Sequence, residues 1–182
     1  MFRLVIPEIK DAWDEENEVF VSFPGRTLQL EHSLVSLSKW ESKYHKAFLT
    51  NETKSTEEAL DYIRFMTITQ NVSSDTYLYL TEENLEDINA YIENPMTATK
   101  IVRSSSERRG SRETITSELI YYWMISLNIP IECQKWHLNR LLSLIEVCSI
   151  KNAPPKKRSA AQIMRDNKRL NDERKKRLNT SG

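Results

Sequence analysis

The chain has 182 residues and a mass of 21.4 kDa, room for one domain, or one domain with a tail, that hides roughly two-thirds of its extended surface on folding. With 39% hydrophobic and 29% charged residues, 3 Gly and 6 Pro, it cannot be collagen-like, mucin-like or wholly disordered, and so little glycine argues against a turn-rich all-β fold. The net charge of zero conceals a division: residues 1–150 carry 15 Lys/Arg against 23 Asp/Glu, a net −8, and residues 151–182 carry 11 against 3, a net +8. An acidic body joined to a basic tail is a signal of association rather than of fold.

Two cysteines cannot build a disulfide framework, so Cys133 and Cys148 read as reduced, buried thiols of a cytosolic protein. The longest apolar stretch, Leu119 to Ile125, is far short of the roughly 18–20 residues that span a bilayer. The N-terminal MFRLVIPEIK lacks an export pattern. The expected location is the cytoplasm of the producing cell.

Residues 1–31 read as a small antiparallel β unit. Phe2, Leu4 and Ile6 alternate with Arg3, Val5 and Pro7; Val19 to Phe23 and Thr27 to Leu30 supply two further β-rich runs. Pro24-Gly25 reads as a turn between the last two, Asp11 to Glu18 as an exposed link, and Pro7 favours an edge position. A helical domain follows over 33–152. Ser38 with Glu41, and Ser55 with Glu58, have capping-box spacing, and Ser33 is a second candidate cap for the first helix. The apolar spacing predicts helices over 34–48 and 56–69. A third run, capped by Thr81, carries Leu85, Ile88 and Ile92 and stops at Pro95.

Residues 96–112, which contain RSSSERRGSR, predict a mobile loop, since they offer little apolar surface to bury. Glu113 to Asn128 is apolar all round its centre (LIYYWMI), the pattern of a helix buried on several sides. Ile131 to Cys148 reads as one amphipathic helix with Leu138, Leu141, Leu142, Ile145 and Cys148 on a shared face. Together these two predict a helical hairpin at the centre of the core. Pro154-Pro155 then breaks the chain, and the basic tail, 153–182, is predicted to be helical only conditionally. Ser159 can cap a segment running to about Leu178, whose sizeable apolar groups are Ile163, Met164, Leu170 and Leu178. The predicted class is α+β, predominantly α-helical.

Catalytic patterns are weak. Cys133 and His137 stand four apart, a spacing that can serve a metal, but no second close pair completes a zinc set, so a buried thiol and a structural histidine are the better reading. The same pair is the only adjacent nucleophile and base, without a legible orienting group. Glycines at 25, 110 and 182 cannot form a phosphate loop. No cofactor or metal is implied, and the chain reads as a non-enzyme. Tyr121, Tyr122, Trp123 and Trp136 can stack on bases, yet inside an apolar helix such residues are more often core. Seven cations between Arg165 and Arg177 can neutralise phosphates. The acidic body opposes a duplex and the tail has no aromatic residue to stack, so an acidic protein surface is the preferred target, with association of the tail and the chain's own body as the plainer alternative.

Four stretches, SLVSLSKWESK (33–43), YIRFMTITQNV (62–72), NPMTAT (94–99) and ITSELIYYWMISLNIPIECQKWHLNRLLSLIEVCSIKN (115–152), occur together. Jointly they resemble the tail assembly chaperones of long-tailed bacteriophages, in particular a group from phages of actinobacteria. The resemblance covers about residues 1–158 and weakens through the tail. It implies a non-enzymatic protein that binds the long, helical tape measure protein in the infected cell, keeps it soluble until tail-tube subunits assemble round it, and is absent from the finished virion. It also implies a second, longer product made by ribosomal frameshifting, whose extension recruits the major tail tube protein. Pro155-Lys156-Lys157 is encoded CCN-AAR-AAR, and a CCA proline codon there would create a slippery run.

A helical protein can offer a groove to an amphipathic helix, with anchors at helical spacing. The candidate anchors are the exposed members of Trp40, Tyr44, Trp123 and Trp136. The tail residues Arg165, Lys168, Arg169, Arg174, Lys175, Lys176 and Arg177 are candidates for contacting the acidic body of the next copy along the client. Two other readings stand beside this one: a structural virion component (tail adaptor or tube protein), and a nucleic-acid-binding protein acting through residues 156–177.

Overall fold

Alternating apolar residues and two prolines shape the N-terminal β unit. In the computed structural model, which describes residues 1–14, 19–100, 114–154 and 160–179, β1 (Phe2–Ile6) pairs antiparallel with β4 (Arg26–Leu30), and β2 (Ile9–Asp14) with β3 (Val19–Phe23). The pairings Ile6 with Arg26 and Ile9 with Phe23 carry one register across the gap, so the two ladders form one long ribbon. The gap falls at Pro7-Glu8 and Pro24-Gly25, where neither proline can donate a ladder hydrogen bond.

Two expectations are corrected here. Pro24-Gly25 is a break within the returning arm, not a hairpin turn, because β3 and β4 each pair with a different strand. The acidic stretch Asp11 to Glu18 is not a link throughout, since residues 9–14 pair as β2; residues 15–18 lie outside the described residues. Gly25 has φ +69°, and a Cβ there would stand 3.0 Å from the Glu8 nitrogen and 3.1 Å from the Ile6 oxygen. Only glycine meets both conditions without strain.

The inner face of β1 and β4 buries Leu4, Ile6, Leu28 and Leu30. Helix α1 (Leu34–Tyr44) begins at Ser33, whose hydroxyl accepts from the Ser36 N–H while the Ser36 hydroxyl accepts from the Ser33 N–H at 2.9 Å. The cap is therefore Ser33, not Ser38. The helix ends at Tyr44, short of 48, because His45 turns left-handed with φ 52°. Ser55 and Glu58 form the expected capping box of α2 (Thr56–Met66). That helix also stops early: Thr67 is extended and bridges Leu30, and Ile68 N–H donates to the Gln29 carbonyl at 2.8 Å, prolonging the β pairing. A 3-10 turn, Ser74–Tyr79, leads to α3 (Glu82–Glu93), capped by Thr81. The Asn84 side chain donates to the Val5 carbonyl at 3.1 Å and ties α3 to β1.

Helix α4 (Ser117–Ser126) is capped by Thr116 and is shorter than 113–128. The single helix expected over 131–148 divides: a 3-10 turn covers Ile131–Lys135, Trp136 is extended, and α5 (Leu138–Asn152) follows. The break lets Ser33 bridge His137, and Leu138 N–H donates to the His32 carbonyl at 2.7 Å. Apolar burial is shared between two clusters. The first joins β1, β4, α2, the 74–79 turn and α3 around Trp40; the second joins α4, the 131–135 turn and α5 around Leu34 and Leu37. Helix α1 feeds both clusters, so it, rather than an α4–α5 hairpin alone, is the centre of the core.

The chain divides into two compact units, Met1–Ser149 and Ile150–Gly182. The second contains α6 (Ala160–Leu178). Ser159, Pro155-Lys156-Lys157 and most of the expected 96–112 loop lie outside the described residues. The class is mixed α+β and predominantly helical, with the β unit at the N-terminus.

Candidate interaction surfaces

Several buried polar side chains of the body tie elements together. Glu41 accepts from the Phe48 N–H at 2.9 Å and from the Ser117 N–H at 2.7 Å, anchoring both the turn after α1 and the start of α4. Asp61 accepts from Tyr44 at 2.7 Å, Arg64 at 2.8 Å and Lys43. Burial pushes its carboxyl up, but those hydrogen bonds outweigh burial and hold it below the usual range. The Lys46 hydrogen bond, aided by the Ser55 N–H, likewise lowers the Glu58 carboxyl.

Between the two apolar clusters sits a buried pair of imidazoles, His32 and His137, with ring centroids 5.0 Å apart. His32 Nδ1 lies 2.6 Å from the Tyr62 hydroxyl. His137 Nε2–H donates to the Tyr91 carbonyl at 3.0 Å, and its Nδ1 accepts from the Asn139 N–H at 3.3 Å. Both His137 nitrogens are thus engaged by backbone, as a structural histidine requires. Burial, then the neighbouring His137, lowers His32 to about 3, and burial also lowers His137. Cys133 is buried in the 131–135 turn, apart from α5, so the four-residue spacing does not place it with His137 on one helical face. Among the described residues, no three His, Cys, Asp or Glu side chains converge as metal ligands.

The four aromatic candidates are not a groove. Trp40 is only 1% exposed and its indole N–H donates to the Glu58 carbonyl at 2.8 Å, which removes it from any outer surface. Tyr44 is half-buried and its hydroxyl donates to Asp61. Trp123 and Trp136 are half-buried against the second cluster, and the Arg140 guanidinium lies 4.2 Å over the Trp136 ring.

Exposed apolar side chains follow next to them in the chain, and others stand elsewhere on the body at Val5, Trp13, Phe20 and Leu78. Tyr122 is 64% and Ile125 72% exposed on α4, and Ile131 is 51% exposed on the following turn. Ser117, Ile120 and Met124 form the buried side of α4, so the helix is buried on one side only, not on several. The sequence hides this because α4 is apolar on both sides, which leaves no periodic contrast to read. A residue wheel anchored on the small Ser117 places Tyr122 opposite the core, about 140° round the helix, and Ile125 on its flank, about 80° round.

Helix α6 forms the other surface. Arg165, Lys168, Arg169, Arg174, Lys175, Lys176 and Arg177 are all exposed, and Arg169 makes an i,i+4 ion pair with Glu173 at 3.9 Å. Its apolar residues Ile163, Met164, Leu170 and Leu178 are exposed as well. Among the described residues, no helix is long and apolar enough to cross a membrane. No family model, curated protein or solved structure matches the chain.

Proposed function

We propose that this protein is a phage tail assembly chaperone that binds the tape measure protein and keeps it soluble, acting by binding and without catalysis. The observation that carries the reading is the exposed apolar strip of Tyr122, Ile125 and Ile131, one of several exposed apolar sites on the body. A long amphipathic client helix aggregates unless its apolar seam is covered, and such a strip is the complement it needs. The resemblance of residues 33–43, 62–72, 94–99 and 115–152 to these chaperones supports the same reading. Tyr122, Ile125 and Ile131 fall within 115–152, the longest of the four stretches. Many weak contacts along one client add avidity and still release when the tube assembles. The protein then works in the host cytoplasm and leaves before the virion matures, and a frameshifted longer form recruits the major tail tube protein.

Co-expression with the tape measure protein of the same genome tests this: the client becomes soluble and co-purifies, whereas an equally insoluble client with and without this chain refutes it. Mass spectrometry of purified virions separates the chaperone from a tail adaptor or tube component, which would be present in stoichiometric copies. A second reading has its own observation, the seven exposed cations of α6, which suit phosphates. A gel-shift series across salt decides it, and the absence of any complex at low salt dismisses it.

A further inference from the structure

We propose that the outer face of α3 is the docking surface for α6 of a second copy of this chain. Glu82, Glu83, Glu86, Asp87 and Glu93 are all exposed on α3, together with Leu85. Among the described residues no salt bridge reaches any of the five.

The helix's own needs do not account for them. Glu82 and Glu83 favour the first turn, but Glu82 with Glu86, and Glu83 with Asp87, repel at i,i+4 spacing. Glu93 opposes the helix dipole at the last position, and the last turn has no basic residue. A cationic neighbour would relieve all of these costs. Beside the first turn of α3, a shallow groove of about 630 Å³ is lined by Val5 and Pro7 as well as by Glu82, Glu83 and Asp87, with Arg3 as its single cation against three carboxylates. With exposed Val5 and Leu85 it supplies the apolar part of the face.

Helix α6 is the complement. Its seven exposed cations run from Arg165 to Arg177, about 18 Å of helix, and the α3 carboxylates run from Glu82 to Glu93, about 17 Å. Exposed Met164 and Leu178 provide apolar residues to set into the groove. Docking of α6 on the α3 of its own chain is the competing outcome, and it would leave a monomer at every concentration. Each copy then offers one α6 and one α3 face, a heterologous contact that propagates from copy to copy.

Sedimentation velocity of the full chain tests it without any client, so its failure leaves the chaperone reading untouched. Wild-type protein should associate with rising concentration at about 50 mM salt, and the association constant should fall about tenfold or more by about 500 mM. Reversing α3 (E82K, E83K, E86K, D87K) or α6 (R174E, K175E, K176E, R177E) should each leave a monomer. An equimolar mixture of the two should associate again, because each variant retains one half of a complementary pair. Neutralising Gln substitutions at the same α3 positions should lower the association if the reversed chain fails to fold. A wild-type monomer at every concentration in low salt overturns the proposal, as does a monomeric mixture of two folded variants.

Discussion

Lowering the pH from about 7.5 to about 5 should weaken the fold through His32 before any carboxylate titrates. The imidazole is held at about 3 in the folded chain against 6.5 when solvated. Above 6.5 neither state carries the proton and His32 costs nothing; below it the unfolded chain takes the proton first. Stability is therefore lost progressively from 6.5 down to the folded value. At pH 5 the loss from His32 comes to about 2 kcal/mol, and His137, also lowered by burial, adds to it in the same direction. Asp61 and Glu58, lowered from 3.8 and 4.5, begin to contribute only at still lower pH. With a urea slope of roughly 2 kcal/mol/M, the His32 part alone moves the unfolding midpoint by about 1 M. Tryptophan fluorescence during urea unfolding reads the midpoint at both pH values. The variant His32→Gln keeps a hydrogen-bonding partner for the Tyr62 hydroxyl but cannot titrate, so its midpoint should fall less than that of the wild type. Equal midpoints at the two pH values in the wild type, or an undiminished fall in the variant, would refute the reasoning.

Gly25→Ala should destabilise by at least about 1–2 kcal/mol, the cost of a left-handed backbone with a Cβ, because it also crowds the Glu8 nitrogen; thermal melts check it. Trp40→Ala should cost about 3–5 kcal/mol, the range for removing a large buried aromatic, and denaturant unfolding at neutral pH measures it. Glu41→Gln replaces one of two carboxylate acceptors of backbone N–H groups with a donor. It should cost about 1.5–3 kcal/mol and raise amide exchange at Phe48 and Ser117.

Where a pattern contrasts one face with another, the chain is readable. The alternation of Phe2, Leu4 and Ile6, the Ser55 and Glu58 box, and the Thr81 cap each state their structure locally. Long-range pairing is not local, and it decided the rest. Helix α2 stops at Met66 because the next residues pair with β4, and the break before α5 exists because His137 and Leu138 bond the chain at His32 and Ser33. Of the anchor candidates, Trp40 looked like its aromatic neighbours in the sequence but is enclosed on all sides in the fold, while Ile125 lay unmarked in an apolar run. The basic tail was legible because charge needs no tertiary context to be counted.

The most direct test of the binding account is soluble tape measure protein after co-expression with wild type or with the double variant Tyr122→Asp, Ile125→Asp. Losing two apolar contacts of about 1.5–3 kcal/mol each weakens an interface by roughly a hundredfold or more, while the exposed positions leave the melting temperature nearly unchanged. The account predicts a soluble client with the wild type and a precipitated one with the folded double variant. Equal client solubility with both proteins would contradict it.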